Sequence, residues 1–117
     1  MSDRGHHQAS AGPASTSGGL EQYRDRLDRI DEQLANLFGE RFDICRAVAH
    51  YKSEHGIPMM QPDRVAVVRA RYLARGTAAD LPPAFSAELF ELLIAATCRL
   101  EDEIIDELTQ AREEQAS

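Results

Sequence analysis

Residues 20–54 contain no proline and a single glycine, and apolar side chains recur at Leu20, Tyr23, Leu27, Ile30, Leu34, Leu37, Ile44, Val48 and Tyr51. Steps of three and four residues put these side chains on one face of a 3.6-residue turn, so the spacing predicts one long helix. At 1.5 Å per residue it would reach roughly 50 Å. A monomeric domain of this size is only about 26 Å across. The stripe therefore calls for burial against a second chain.

The punctuation that follows defines two further helices. Gly56, followed by Ile57 and Pro58, is a helix-ending signal, and GIPMMQP reads as a short constrained connection. Pro62 suits the first position of a second helix carrying Val65, Val67, Val68, Tyr72 and Leu73 as far as Gly76. A polar linker over residues 77–80 precedes Leu81-Pro82-Pro83. A third helix is expected over residues 83–112, with Phe85, Leu89, Leu92, Leu93, Ala96, Leu100, Ile104 and Leu108 on its main apolar face. The expected organisation is a flexible tail over residues 1–19, which contain no Leu, Ile, Val or Phe, a helical domain over residues 20–112, and a fraying end over residues 113–117. No repeat or strand pattern interrupts this, so the fold class is all-α, three helices arranged long-short-long.

Composition removes several functions. The 117 residues carry 13 Lys+Arg against 20 Asp+Glu, a formal charge of -7, which disfavours a nucleic-acid or anionic-membrane surface. Cys45 and Cys98 are too few for a disulfide framework and read as buried free thiols. His6, His7, His50 and His55 lack metal-ligand spacing, so no metal is expected. No run of about 20 apolar residues could span a bilayer, and the N-terminal segment has no signal-peptide character; a cytoplasmic protein is the expectation.

In an acidic chain, a cation on an apolar stripe is informative. The rhythm of the first helix passes from Leu37 through position 41 to Ile44 and Val48, and position 41 is Arg. Such a charge is costly unless an anion meets it, although an internal ion pair or a snorkelling side chain would also satisfy it. Lys52 stands three turns later, roughly 16 Å along the axis and on nearly the same face. Arg64 opens the second helix close to the loop that follows Lys52. Arg24 lies beside the stripe but roughly 42 Å from Lys52 along one helix axis. Within one chain the two could not share a small ligand; in an antiparallel pair of chains they could.

On the third helix Thr97 and Glu101 are one turn apart, in a strip with Phe90, Leu93 or Ile94, and Ile104. They could line a pocket, although Glu101-Asp102-Glu103 also fits a solvated charge run. No nucleophile sits with a base, and no glycine-rich loop could cradle a nucleotide phosphate. The residues thus leave open a cofactor-free site working by positioning and charge stabilisation, or a helical module that binds a small anion without catalysis.

Taken in order, LEQYRDRLDRIDEQLANLFGERFDICRAVAHYKSEHGIPMMQPDRV closely resembles the all-helical chorismate mutases. The shared positions are Leu20, Arg24, Ile30-Asp31, Leu34, Leu37, Glu40-Arg41, Val48, Tyr51-Lys52, Pro58 and Asp63-Arg64, followed by LFELLIAATCRLE. The resemblance implies an intertwined homodimer of the type II mutases with two shared sites and no cofactor. It implies that Arg41 and the partner subunit's Arg24 hold the two substrate carboxylates and that Arg64 supports that end of the site. Lys52 would donate to the ether oxygen, Glu101 would face the same oxygen, and Thr97 would line the pocket, with Gln61 and Val65 also against the substrate. For Glu101 to donate it must carry a proton, so activity is expected to fall as pH rises and to be flattened by Glu101→Gln.

One departure bears on the substrate. Many chorismate mutases carry an acid directly after the arginine that opens the second helix, where it accepts from the substrate's C4 hydroxyl; here that position is Val65. The stretches IPMMQPDRV and CRLED look most like the 4-amino-4-deoxychorismate mutases, which serve p-aminophenylalanine-derived antibiotic synthesis. Chorismate is the next expectation. Isochorismate pyruvate lyases share the scaffold and can also have valine there, but usually have Gln where this chain has Glu101.

Overall fold

The computed structural model describes residues 13–116 as three helices, α1 (Pro13–His55), α2 (Pro62–Ala78) and α3 (Pro83–Ala116), with no strand among the described residues. The long-short-long order agrees with the apolar periodicity, while three boundaries differ. α1 starts at Pro13 rather than Leu20, so Gly18 and Gly19, expected in the tail, are helical; proline's fixed φ favours a first-turn position. The rest of the expected tail, residues 1–12, lies outside the described residues. α2 continues two residues beyond Gly76, and α3 continues through residues 113–116.

The chain divides into two units, Met1–Glu40 and Arg41–Ser117. In the first, the described part is helical, and Leu20, Tyr23, Leu27, Ile30, Leu34 and Leu37 are between 44% and 59% exposed. Six large apolar residues on one uncovered face form the burial deficit that the periodicity implied.

The second unit comprises the end of α1, α2 and α3. α1 stops because Gly56 adopts φ +64°, in the left-handed region, and the Ile57 N–H returns to the Lys52 carbonyl at 3.0 Å. This is the Schellman arrangement that closes a helix at glycine. α2 opens with proline in its first turn, after an extended Gln61 whose carbonyl accepts from the Val65 N–H at 3.1 Å. It closes by a second Schellman arrangement. Asp80, at φ +62°, donates to Thr77 O at 3.0 Å, and Leu81 donates to Gly76 O at 2.8 Å. The stop expected at Gly76 is therefore made by Asp80, the only described non-glycine residue at positive φ.

Gly76 instead allows a close crossing. It is buried, and a Cβ there would collide with the Ser86 side chain on α3. Ser86, Phe90, Leu93, Thr97 and Glu101, spaced by three or four residues, form the buried stripe of α3. Phe90 meets Tyr72 of α2 edge-on at 5.6 Å, and Ala49 of α1 is fully buried. This corrects the expected apolar face: Phe85 and Leu92 are 49% and 65% exposed, because the other contacts of this unit cover the Phe90–Thr97 side of α3. Among the described residues the core is thus small and includes the polar side chains of Ser86, Thr97 and Glu101.

Candidate active site

Arg41, Lys52, Gln61, Arg64, Val65, Thr97 and Glu101 all line one pocket of about 270 Å³ in the second unit. α1 supplies the first two, the loop after Gly56 supplies Gln61, α2 supplies Arg64 and Val65, and α3 supplies Thr97 and Glu101. Helical spacing explains the grouping on α3: Thr97 and Glu101 are adjacent turns of its buried stripe.

Each inward cation of α1 meets a polar residue of α3. Arg41 donates from Nη1 to Thr97 Oγ1 at 3.1 Å and approaches Cys45 Sγ at 3.9 Å. Cys45 Sγ also lies 3.9 Å from Thr97 Oγ1, so thiol, hydroxyl and guanidinium form one cluster. Lys52 Nζ donates to Glu101 Oε1 at 3.0 Å and to the Met59 carbonyl at 2.7 Å. The two side chains are 15% and 7% exposed, which makes this a largely desolvated ion pair. The Arg41 cation on the stripe is therefore held by hydrogen bonds to neutral groups, leaving its charge uncancelled by a carboxylate in these contacts. Among the charged lining residues, three cations face one carboxylate, an excess that suits a dianion.

Val48, Val65, Val68 and Ile94 give the pocket apolar walls, which strengthen electrostatic interactions within it. Cys45 and Cys98 are free and half-buried. Burial, then the Glu101 and Asp102 carboxylates, push the Cys98 thiol up from its ordinary range, with Lys52 opposing them. Among the described residues no group of three or more His, Cys, Asp or Glu is placed to hold a metal ion, and no helix is long and apolar enough to cross a membrane.

Arg24 is the one predicted site residue outside this pocket. It lies in the other unit, on an exposed helix face, and pairs with Glu21 at 3.2 Å. Two contributors were missed by sequence reasoning. Cys45, one turn after Arg41, is identifiable by that spacing. The Met59 carbonyl is a backbone group, and its only sequence signal is the glycine that turns the chain.

The chorismate mutase type II family matches residues 23–102. A 4-amino-4-deoxychorismate mutase of Streptomyces pristinaespiralis is 41% identical over 96 residues, 82% of this chain and 74% of that protein. A second, from Streptomyces venezuelae, is 37% identical over 83 residues, covering 71% and 81%. A chorismate mutase of Methanocaldococcus jannaschii is 25% identical over 88 residues, 75% of this chain and 89% of that protein. No solved structure matches the chain. With more than half its length matched, and with the cations of the pocket inside the matched span, the chain belongs to the chorismate mutase type II family and is an isomerase.

Proposed function

We propose that the protein catalyses the [3,3] rearrangement of 4-amino-4-deoxychorismate to 4-amino-4-deoxyprephenate, as a cytoplasmic homodimer whose two sites are shared between chains. The observation that carries this reading is the pairing of Arg41 with Thr97 and of Lys52 with Glu101 around one pocket that also contains Val65. The names of the two Streptomyces relatives support the choice of substrate.

In the reaction the enolpyruvyl ether C–O bond breaks as a C–C bond forms, in one cyclic shift of electrons with no net proton transfer. Negative charge grows on the ether oxygen. Lys52 has three N–H donors, two of them engaged by Met59 and Glu101, and the third is assigned to that oxygen. A donor held this way stabilises the transition state more than the ground state. Arg41 and Arg64, with the partner subunit's Arg24, hold the two carboxylates and select the folded, diaxial conformer. Gln61 supplies the neutral polar part of the loop wall. Glu101 orients Lys52 by accepting from its ammonium at 3.0 Å, and Glu101→Gln retains an acceptor oxygen there without the charge.

Val65 lines the pocket where many chorismate mutases place an acceptor for the C4 hydroxyl, so a contact that would hold chorismate is missing. The exposed stripe of residues 20–37 supports the dimer, since its burial would remove the largest apolar deficit of the chain. A place in p-aminophenylalanine-derived antibiotic synthesis follows from the proposed product. Incubation with 4-amino-4-deoxychorismate, chorismate and isochorismate in turn, with products identified by mass spectrometry, tests the function. The expected product is 4-amino-4-deoxyprephenate; pyruvate release from isochorismate, or no turnover of any of the three, contradicts the proposal. Mixing Arg24→Ala with Arg41→Ala subunits tests the shared site, because hybrid dimers regain one intact site. No recovery after proven subunit exchange contradicts it.

A further inference from the structure

We infer that Gly56 is a positioning residue for Lys52, acting through the Met59 carbonyl. The left-handed φ of +64° at Gly56 lets the Ile57 N–H close on the Lys52 carbonyl at 3.0 Å. The chain then reverses, and the carbonyl of Met59 comes to 2.7 Å from Lys52 Nζ. Lys52 is consequently held twice by the turn that Gly56 makes, once at its backbone carbonyl and once at its ammonium. Glu101 Oε1, at 3.0 Å, is the second anchor of that ammonium. Two of its three donors are fixed by acceptors on different elements, and the direction of the third is determined by them.

Gly56 is an unusually clean place to test this. A Cβ built there meets nothing within 4 Å, so a substitution acts through the backbone torsion and not by pushing a neighbour. Asn tolerates the left-handed region, Ala adopts it at a cost, and Val, which is β-branched, resists it most. The consequence for catalysis rests on the role proposed above for Lys52, and the test separates the two.

The experiment compares Gly56→Asn, Gly56→Ala and Gly56→Val with the parent protein and with Lys52→Ala. It measures kcat and KM on 4-amino-4-deoxychorismate, with folded protein quantified by circular dichroism. It also measures labelling of Lys52 by an amine-reactive ester, read by peptide mass spectrometry. The expected result is kcat near the parent value for Asn, about tenfold lower for Ala and lower again for Val, with KM held within about twofold. Lys52 labelling rises in the same order. Unchanged kcat and labelling across the folded series overturn the inference, as does a rise in KM at constant kcat, which would make the loop a substrate wall only. Full activity in Lys52→Ala instead overturns the proposed role of Lys52, while the labelling series still decides whether Gly56 positions it.

Discussion

Glu101 is a carboxylate with one cation for a partner, and removing it separates charge from shape. Its side chain is 7% exposed, the Lys52 side chain is 15% exposed, and the two meet at 3.0 Å. At that distance the gross attraction is about 5–6 kcal/mol at an effective dielectric near 20, much of it offset by desolvation. Deleting one partner leaves the desolvated ammonium uncompensated, and such deletions cost about 3–5 kcal/mol. Lys52 retains the Met59 carbonyl and some access to water, which places Glu101→Ala near the lower end, about 3 kcal/mol. Glu101→Gln keeps the volume and one acceptor oxygen but removes the compensating charge, which costs about 1–2 kcal/mol. Urea unfolding at one fixed protein concentration reads both as shifts in midpoint at constant slope, the concentration being fixed because association contributes to apparent stability. An Ala variant within 1 kcal/mol of the parent, or a Gln variant as stable as the parent, refutes the reasoning that charge compensation at Lys52 is what Glu101 provides.

Four further outcomes follow from the packing of the second unit. Ser86 Oγ is buried without a hydrogen-bond partner, so Ser86→Ala raises thermal stability by about 1 kcal/mol; a lower midpoint would show the hydroxyl to be satisfied. Gly76→Ala forces a contact with Ser86 and costs about 1–3 kcal/mol in urea unfolding, and pairing it with Ser86→Gly recovers most of the loss; equal losses with and without Ser86→Gly contradict the crossing. Asp80→Gly relieves the left-handed strain at φ +62° and stabilises by about 0.5–1 kcal/mol in thermal unfolding, whereas a loss would mean the carboxylate has a role of its own. Cys98, its thiol raised by burial and by Glu101 and Asp102, alkylates slowly at neutral pH because little thiolate is present; the rate climbs as pH rises and is faster in Glu101→Gln, as peptide mapping would report.

The features legible in the sequence are those governed by local chemistry. Apolar steps of three and four define all three helices, and Gly56 and Pro62 mark the end of α1 and the start of α2, because each supplies a torsion the turn requires. The pocket residues were legible for a different reason: cations on an apolar stripe have few physical explanations, and Arg41 and Lys52 both face α3. Gly76 reads as a stop because glycine often ends helices, yet its place is set by Ser86 on another helix. The face of α3 that its own chain covers is not legible for a related reason. α3 is apolar around more than one side, and periodicity alone does not tell which side its own chain covers and which it leaves open, as at Phe85 and Leu92. The Met59 carbonyl, being backbone, carries no residue signature.

The central claim is that this pocket, with Val65 where an acceptor for a C4 hydroxyl would stand, rearranges the amino substrate. The ratio of kcat/KM for 4-amino-4-deoxychorismate to that for chorismate, measured on one preparation, tests it most directly. The account predicts a ratio of about ten or more, the discrimination that one pocket contact supplies. A ratio of one or below contradicts it and makes chorismate the substrate.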